Sequence, residues 1–490
     1  MIDDPDVRLR RLRWGIYILL TAIAVGSVSG RLLAVNSADK IAAERNRIKD
    51  RLQSERQRLT AAGREGDDLQ REMAGIEARI RRELAVQRPF LSANDRSRWL
   101  TVRSLVEHGT YEIDAVLDAQ VWDTIDKVQH IGRDGRSHFY SSKPPLLATL
   151  IAGPYWLIHR STGWTLGDHP YAIGRTMLWF INVLPLALLF IIIAALAERF
   201  GATDLGRIFV VATATFGTFL NTFAVVLNNH VVAAVSAAVA LYAVVRIICD
   251  GEQRWKWFSL AGLAAAFTAA NELPALAFLV GVGLLLAWRA PRATLLAFLP
   301  PALLVAAAFF ATNWIAHEDL RPPYMHRDWY DYDGSYWNDR QGIDIGEPSR
   351  AAYALHVLVG HHGVFSLTPV WLLSMAGAAL WLLSSDRPRR ELAALVLGLT
   401  ITCLVFYIGL RPQEDRNYGG MTSGFRWMFW FVPLWLLVMI PAADRLLSSV
   451  GGLILASLLL AMSVLAASYP TWNPWSQPWI YDMLQWWSSA

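Results

Sequence analysis

Only two cysteines, Cys249 and Cys403, occur among 490 residues. Both lie in or beside long apolar runs, so no disulfide framework is implied. Charge imbalance is also missing. The 45 basic and 41 acidic side chains leave a formal net charge of +4, spread over loops, which gives no patch for nucleic acid. There is no Walker-type phosphate loop, no dinucleotide fingerprint and no zinc-protease helix, so soluble nucleotide-driven chemistry is not indicated. Charged residues make up 18% of the chain against 54% hydrophobic. With a mean hydropathy of +0.30, this is too apolar for an ordinary soluble globule.

What the chain has in abundance is apolar runs able to cross a hydrocarbon core of about 30 Å. They fall near 14–35, 172–198, 206–222, 230–248, 257–270, 272–288, 293–316, 365–384, 392–410, 425–443 and 450–468. The expected fold is therefore all-α and polytopic, with about eleven transmembrane helices. The first run has a basic flank and is too long for a typical cleaved signal, so it reads as an uncleaved signal anchor. Placing residues 1–13 inside puts Arg199, Arg207, Arg246, Arg254, Lys256, Arg289, Arg292, "SDRPRRE" and Arg445 on the same side, where positive charge collects. The scheme requires that 144–164 not cross. That stretch is expected to be a juxtamembrane or re-entrant helix on the outer side.

Residues 36–86 are highly charged, yet Ile41, Ile48, Leu69 and Ile76 share one heptad position and Leu52, Leu59, Met73 and Ile80 the position four residues on. That is a coiled-coil signal, and "AAGREGDD" is the expected tip of an outer hairpin. One continuous helix with a partner chain is the alternative. Residues 87–171 form a first outer loop, 172–316 a block of spans, 317–363 a second outer loop rich in aromatic and acidic residues, and 364–468 further spans. The tryptophan-rich 469–490 suits headgroup level.

Several side chains stand where polar groups need a reason. Lys143 precedes Pro144 and Pro145, which exclude an ordinary helix interior. Alone, it is either a snorkelling anchor or a point charge for a phosphate. Asp95 precedes a helix and is either a capping residue or a base facing a surface cavity. Asn228, Asn229 and His230, and likewise Asn271 and Glu272, interrupt apolar runs. Arg426 follows Gly419, Gly420 and Gly424, which allow close backbone approach to a guanidinium fork suited to phosphate. His361 and His362 are further cavity candidates but a poor chelate. Asp331–Asp333 reads as a solvated turn rather than a metal loop.

"NDRSRWLTVRSLVEHGTYEID" followed by "YSSKPPLL", and more loosely "GHHGVFSLTPVWLL" and "YGGMTSGFRWMFWFVPLW", resemble the GT-C superfamily of membrane glycosyltransferases. The nearest branch in pattern holds the protein O-mannosyltransferases and lipid A aminoarabinose transferases. The resemblance covers roughly 90–440. It implies a GT-C-like fold and transfer of a sugar from a polyprenyl-phosphate donor to an acceptor at the outer face of a plasma membrane, with inversion. Asp95 would engage the acceptor, and Lys143 and Arg426 the donor phosphate. The family's acidic motif is usually a pair, whereas here Asn94 and Arg96 flank Asp95, which leaves the base and any divalent metal open. The acceptor is a lipid, glycan or protein, and residues 36–86 would serve a partner or self-association. Two rivals stand beside the enzyme: a transporter or flippase of lipid-linked sugars, and an envelope-assembly scaffold.

Overall fold

The computed structural model describes residues 5–34, 40–84, 90–117 and 122–489. Among these the protein is helical apart from one two-stranded hairpin. Each of the eleven apolar runs contains a helix, although 206–222 breaks after Phe216 and 365–384 breaks at 368–370. Seven are long and apolar enough to cross a membrane: Asp6–Ala34, Pro170–Phe200, Asn229–Ile248, Pro291–His317, Arg387–Leu410, Arg426–Leu446 and Val450–Ser468. Leu273–Arg289 and Trp371–Leu382 are apolar but shorter. The remaining two runs are the helices Asp204–Phe216 and Trp255–Asn271. At about 1.5 Å per residue, a 13-residue helix reaches about 20 Å, so its ends must be covered by neighbouring protein.

The helices sort by burial. Arg426–Leu446 and Asn229–Ile248 are enclosed, with 83% and 78% of their apolar windows buried, against 28% for Pro291–His317 and Val450–Ser468. The first two form the bundle's axis and the last two its lipid-facing wall. Lipid offers no hydrophobic drive between helices, so close packing on small residues matters. A Cβ on Gly262 would lie 2.1 Å from the Phe298 carbonyl oxygen, and one on Gly377 2.0 Å from that of Val438.

One end of the bundle gathers the basic linkers. Arg13 pairs with Glu198 and Asp204 at 2.7 Å each, Arg199 with Asp250 at 2.7 Å, and Arg289 with Glu391 at 2.6 Å. Asp444 accepts from the backbone of Ala202 and Thr203. The opposite end carries the large loops.

In the first of these, α1 (Ala93–Glu107) and α2 (Pro145–Thr162) flank a hairpin of β1 (Lys127–Ile131) and β2 (Ser137–Ser141). Both ends of α2 stay with this loop. It starts beside Lys143, and farther along, Tyr155 donates to Glu107 Oε1, which also accepts from the Leu166 backbone.

Lys40–Ala61 and Gly66–Leu84 are two packed helices joined by a tight turn. Ile48 and Ile80 are buried between them, and Leu52, Leu59, Leu69, Met73 and Ile76 are half-buried. Ile41 lies among residues whose side chains are outside the description.

Candidate functional site

The hairpin register delivers the first cation. Lys127 pairs with Ser141 across the sheet, so Asp126 and Ser142 lie just beyond its open end, where Ser142 N donates to the Asp126 carbonyl at 3.1 Å. Lys143 comes next. Pro144 takes an extended conformation and Pro145 opens α2, which keeps Lys143 out of the helix. Its Nζ meets Asp126 Oδ1 at 3.1 Å, with 18% of the side chain exposed. Burial pulls the ammonium down to about 8, partly offset by Asp126.

The second cation arrives through strained backbone. Tyr418, Gly419 and Gly420 have φ of 59°, 95° and 76°, a left-handed run that only glycine adopts freely. It turns the Gly419 carbonyl toward Arg426 Nη2 at 2.8 Å. Arg426 Nη1 lies 3.1 Å from His230 Nε2, and the guanidinium sits 5.0 Å from the Trp475 ring centre. Its Nε is buried without a partner.

Under Arg426 lies a polar seam from four elements. His230 Nδ1 meets Glu272 Oε1, so it must be Nδ1 that carries the proton, leaving Nε2 to accept from Arg426. Asn229 Nδ2 donates to the same carboxylate oxygen at 2.8 Å and to the Asn271 carbonyl at 2.8 Å. Arg98 on α1 donates to Asn229 Oδ1 at 2.5 Å and to Asn94 Oδ1 at 2.6 Å. Asn228 caps its own helix by accepting from Val231 N. Asn229, His230, Asn271 and Glu272, polar interruptions of the apolar runs, are therefore joined in one chain of hydrogen bonds.

Above the seam opens a cavity of about 800 Å³ that Lys143, Asp126, Arg426, Asp344, Trp337 and Trp475 help to line. The large loop 317–363 forms its roof. Trp337 Nε1 donates to the Ile125 carbonyl at 2.8 Å, and Arg327 grips Glu414 and Asp415 at 2.8 Å each.

The sequence candidates divide. Lys143 and Arg426, 283 positions apart in the chain, meet in this cavity. Asn229, His230 and Glu272 lie beneath it. Asp95 does not line it. That carboxylate is 1% exposed and accepts from Ser92 N, Ser92 Oγ, Leu91 N and Arg96 N at 2.8 to 3.2 Å. It completes a reciprocal cap with Ser92. His361 and His362 also stand apart, 2.5 Å from each other through their Nδ1 atoms and packed on His356 and Tyr418.

The cavity's own carboxylates, Asp126 and Asp344, had no motif to mark them. The nearest signal for Asp126 was its place one hairpin arm before Lys143. Among the described residues, no group of three or more His, Cys, Asp or Glu side chains is arranged to hold a metal ion.

Fold and cavity together define an all-α polytopic membrane protein with a cation- and aromatic-lined chamber at one end of its spans. No family model and no curated protein matches the chain. Among solved structures it is similar to the apo oligosaccharyltransferase of Archaeoglobus fulgidus, with 10% identity and a TM-score of 0.42 over 81% of this chain and 54% of that one. The chain thus spans about half the length of that protein. The likeness is too distant to assign a role to any residue.

Proposed function

We propose that the protein is a membrane glycosyltransferase of the GT-C type. It moves a sugar from a polyprenyl-phosphate donor to an acceptor hydroxyl at the outer face of the membrane. The observation that carries this reading is the convergence of Lys143 and Arg426 on one aromatic-walled cavity at the membrane end of the bundle. A lipid phosphate brings its charge to that depth, and its tail can remain in the bilayer. When the sugar's C1–O bond breaks, the electron pair goes to the phosphate oxygen. Two cations already held in place stabilise that charge without reorganising. Aromatic faces such as Trp337 and Trp475 suit the apolar side of a sugar ring.

The test uses purified protein in lipid nanodiscs with a panel of radiolabelled polyprenyl-phosphate sugars, reading released polyprenyl phosphate. Lys143→Ala and Arg426→Ala should each lower turnover by about 100-fold or more while the protein stays folded by thermal melting. A folded wild-type protein that releases nothing from any donor sinks the reading. Donor movement across the bilayer without cleavage would instead establish a flippase.

A further inference from the structure

Among the described residues, three carboxylates line the cavity: Asp126, Asp344 and Asp415. Two already have cations, Asp126 with Lys143 at 3.1 Å and Asp415 with Arg327 at 2.8 Å. Asp344 does not have one in direct contact. It accepts from the Tyr336 hydroxyl at 3.0 Å and from Asn417 Nδ2 at 3.4 Å, both neutral donors. On one side it faces a residue without a side chain. Gly420 stands there with φ of 76°, and a Cβ at that position would lie 3.0 Å from Asp344 Oδ1. The left-handed turn that aims Arg426 therefore also leaves room for a carboxylate at the cavity wall.

We infer that Asp344 is the general base that takes the proton from the acceptor hydroxyl. This deepens the glycosyltransferase reading and rests on it. The acceptor oxygen bonds to the sugar C1, the C1–phosphate bond breaks with its electron pair leaving on the phosphate, and the hydroxyl proton ends on Asp344.

A base needs a carboxylate oxygen that faces the substrate space with a lone pair to spare, and a proton affinity nearer neutrality than an ordinary carboxylate has. Asp95 fails the first condition because four donors occupy it away from the cavity. Asp126 is held at the cation that awaits the donor phosphate, where the leaving group and not the acceptor belongs. Asp344 meets both conditions. Burial and the nearby Asp126 push its carboxyl above the usual range, against Tyr336, Asn417 and Arg426, which favour the ionised form. Arg340 acts on Tyr336, which donates to Asp344. The ionised carboxylate is the active form, so turnover should fall as pH drops through a point above the ordinary carboxylate range.

The experiment compares wild type, D344N, D344E, D126N and D95N in the polyprenyl-phosphate sugar assay. Donor binding is followed separately by quenching of cavity tryptophans with polyprenyl phosphate. D344N should lose about 100-fold or more in turnover with donor affinity within threefold of wild type. D344E should retain measurable turnover with a displaced acidic limb. D126N should weaken donor binding, and D95N should lower the melting temperature with turnover within tenfold. The inference is overturned if D344N keeps more than a tenth of wild-type turnover, or if D344E leaves the acidic limb unmoved. Absence of wild-type turnover in the same plates defeats the glycosyltransferase reading itself, and the assignment of a base falls with it.

Discussion

Lys143 shows how one residue's meaning depends on its company. A lone lysine at a membrane surface snorkels, but this one is folded back against Asp126 at 3.1 Å by two prolines and a hairpin register. Burial at a cavity rim has drawn its ammonium down to about 8. The sign follows directly: below that pH the free protein presents a cation to phosphate, and above it the cation is lost. Affinity for polyprenyl phosphate, read by tryptophan quenching, should therefore decline as pH rises through about 8. Lys143→Arg should flatten that decline, because a guanidinium stays charged throughout. A wild-type affinity constant from pH 7 to 9.5 would refute the role.

Lys143 and Arg426 could be picked out because prolines and glycines, which restrict or free the backbone, mark unusual turns. Asp344 could not. It sits in a loop crowded with acids, where Asp331 and Asp333 stood out instead, and only folding reveals which of them faces a cavity. Asp95 carried its own warning in the spacing Ser92-x-x-Asp95, which is a capping pattern before it is anything else.

At the scale of elements, the paired helices Lys40–Ala61 and Gly66–Leu84 are an insertion whose attachment points nearly coincide. Arg175 donates to the Leu33 carbonyl at 3.2 Å, and the Phe90 ring lies against Gly174. Neighbouring residues of one helix thus touch the chain just before and just after the excursion. Replacing residues 38–86 with a short Gly/Ser linker should leave the melting temperature of the bundle within a few degrees and turnover within about threefold. Complete loss of turnover in a folded variant would mean that the hairpin takes part in the reaction.

The presence of a helix in each apolar run was readable from its length, whereas the breaks inside 206–222 and 365–384 were not. The depth of burial was not, because a helix that faces lipid and one that faces protein have the same composition. The axis helix Arg426–Leu446 and the wall helix Val450–Ser468 are both plainly apolar, yet they differ from 83% to 28% buried. Which face a helix turns inward is settled by its partners.

For the whole molecule, sidedness is the property on which the reading rests. Ion pairs tie the basic linkers together at one end, and hydrogen bonds from the loops build the chamber at the other. The proposed orientation puts the basic end inside and so the chamber outside. In a variant lacking Cys249 and Cys403, a cysteine at exposed Asp333 should react with a membrane-impermeant maleimide in intact cells. One at exposed Gln253 should react only after permeabilisation. The reverse pattern would turn the molecule over and move its chemistry to the other compartment.

The polar seam also has a consequence for synthesis. Arg98, Asn229 and Glu272 enter the bundle early, whereas Arg426, which completes the seam through His230, emerges more than 150 residues after Glu272. Until then the growing chain holds a buried carboxylate and histidine without the guanidinium opposite them, a costly arrangement inside a membrane. Unfinished or truncated copies are thereby marked as incomplete, and a protease or chaperone that samples loosely packed spans has a physical basis for telling them from finished ones.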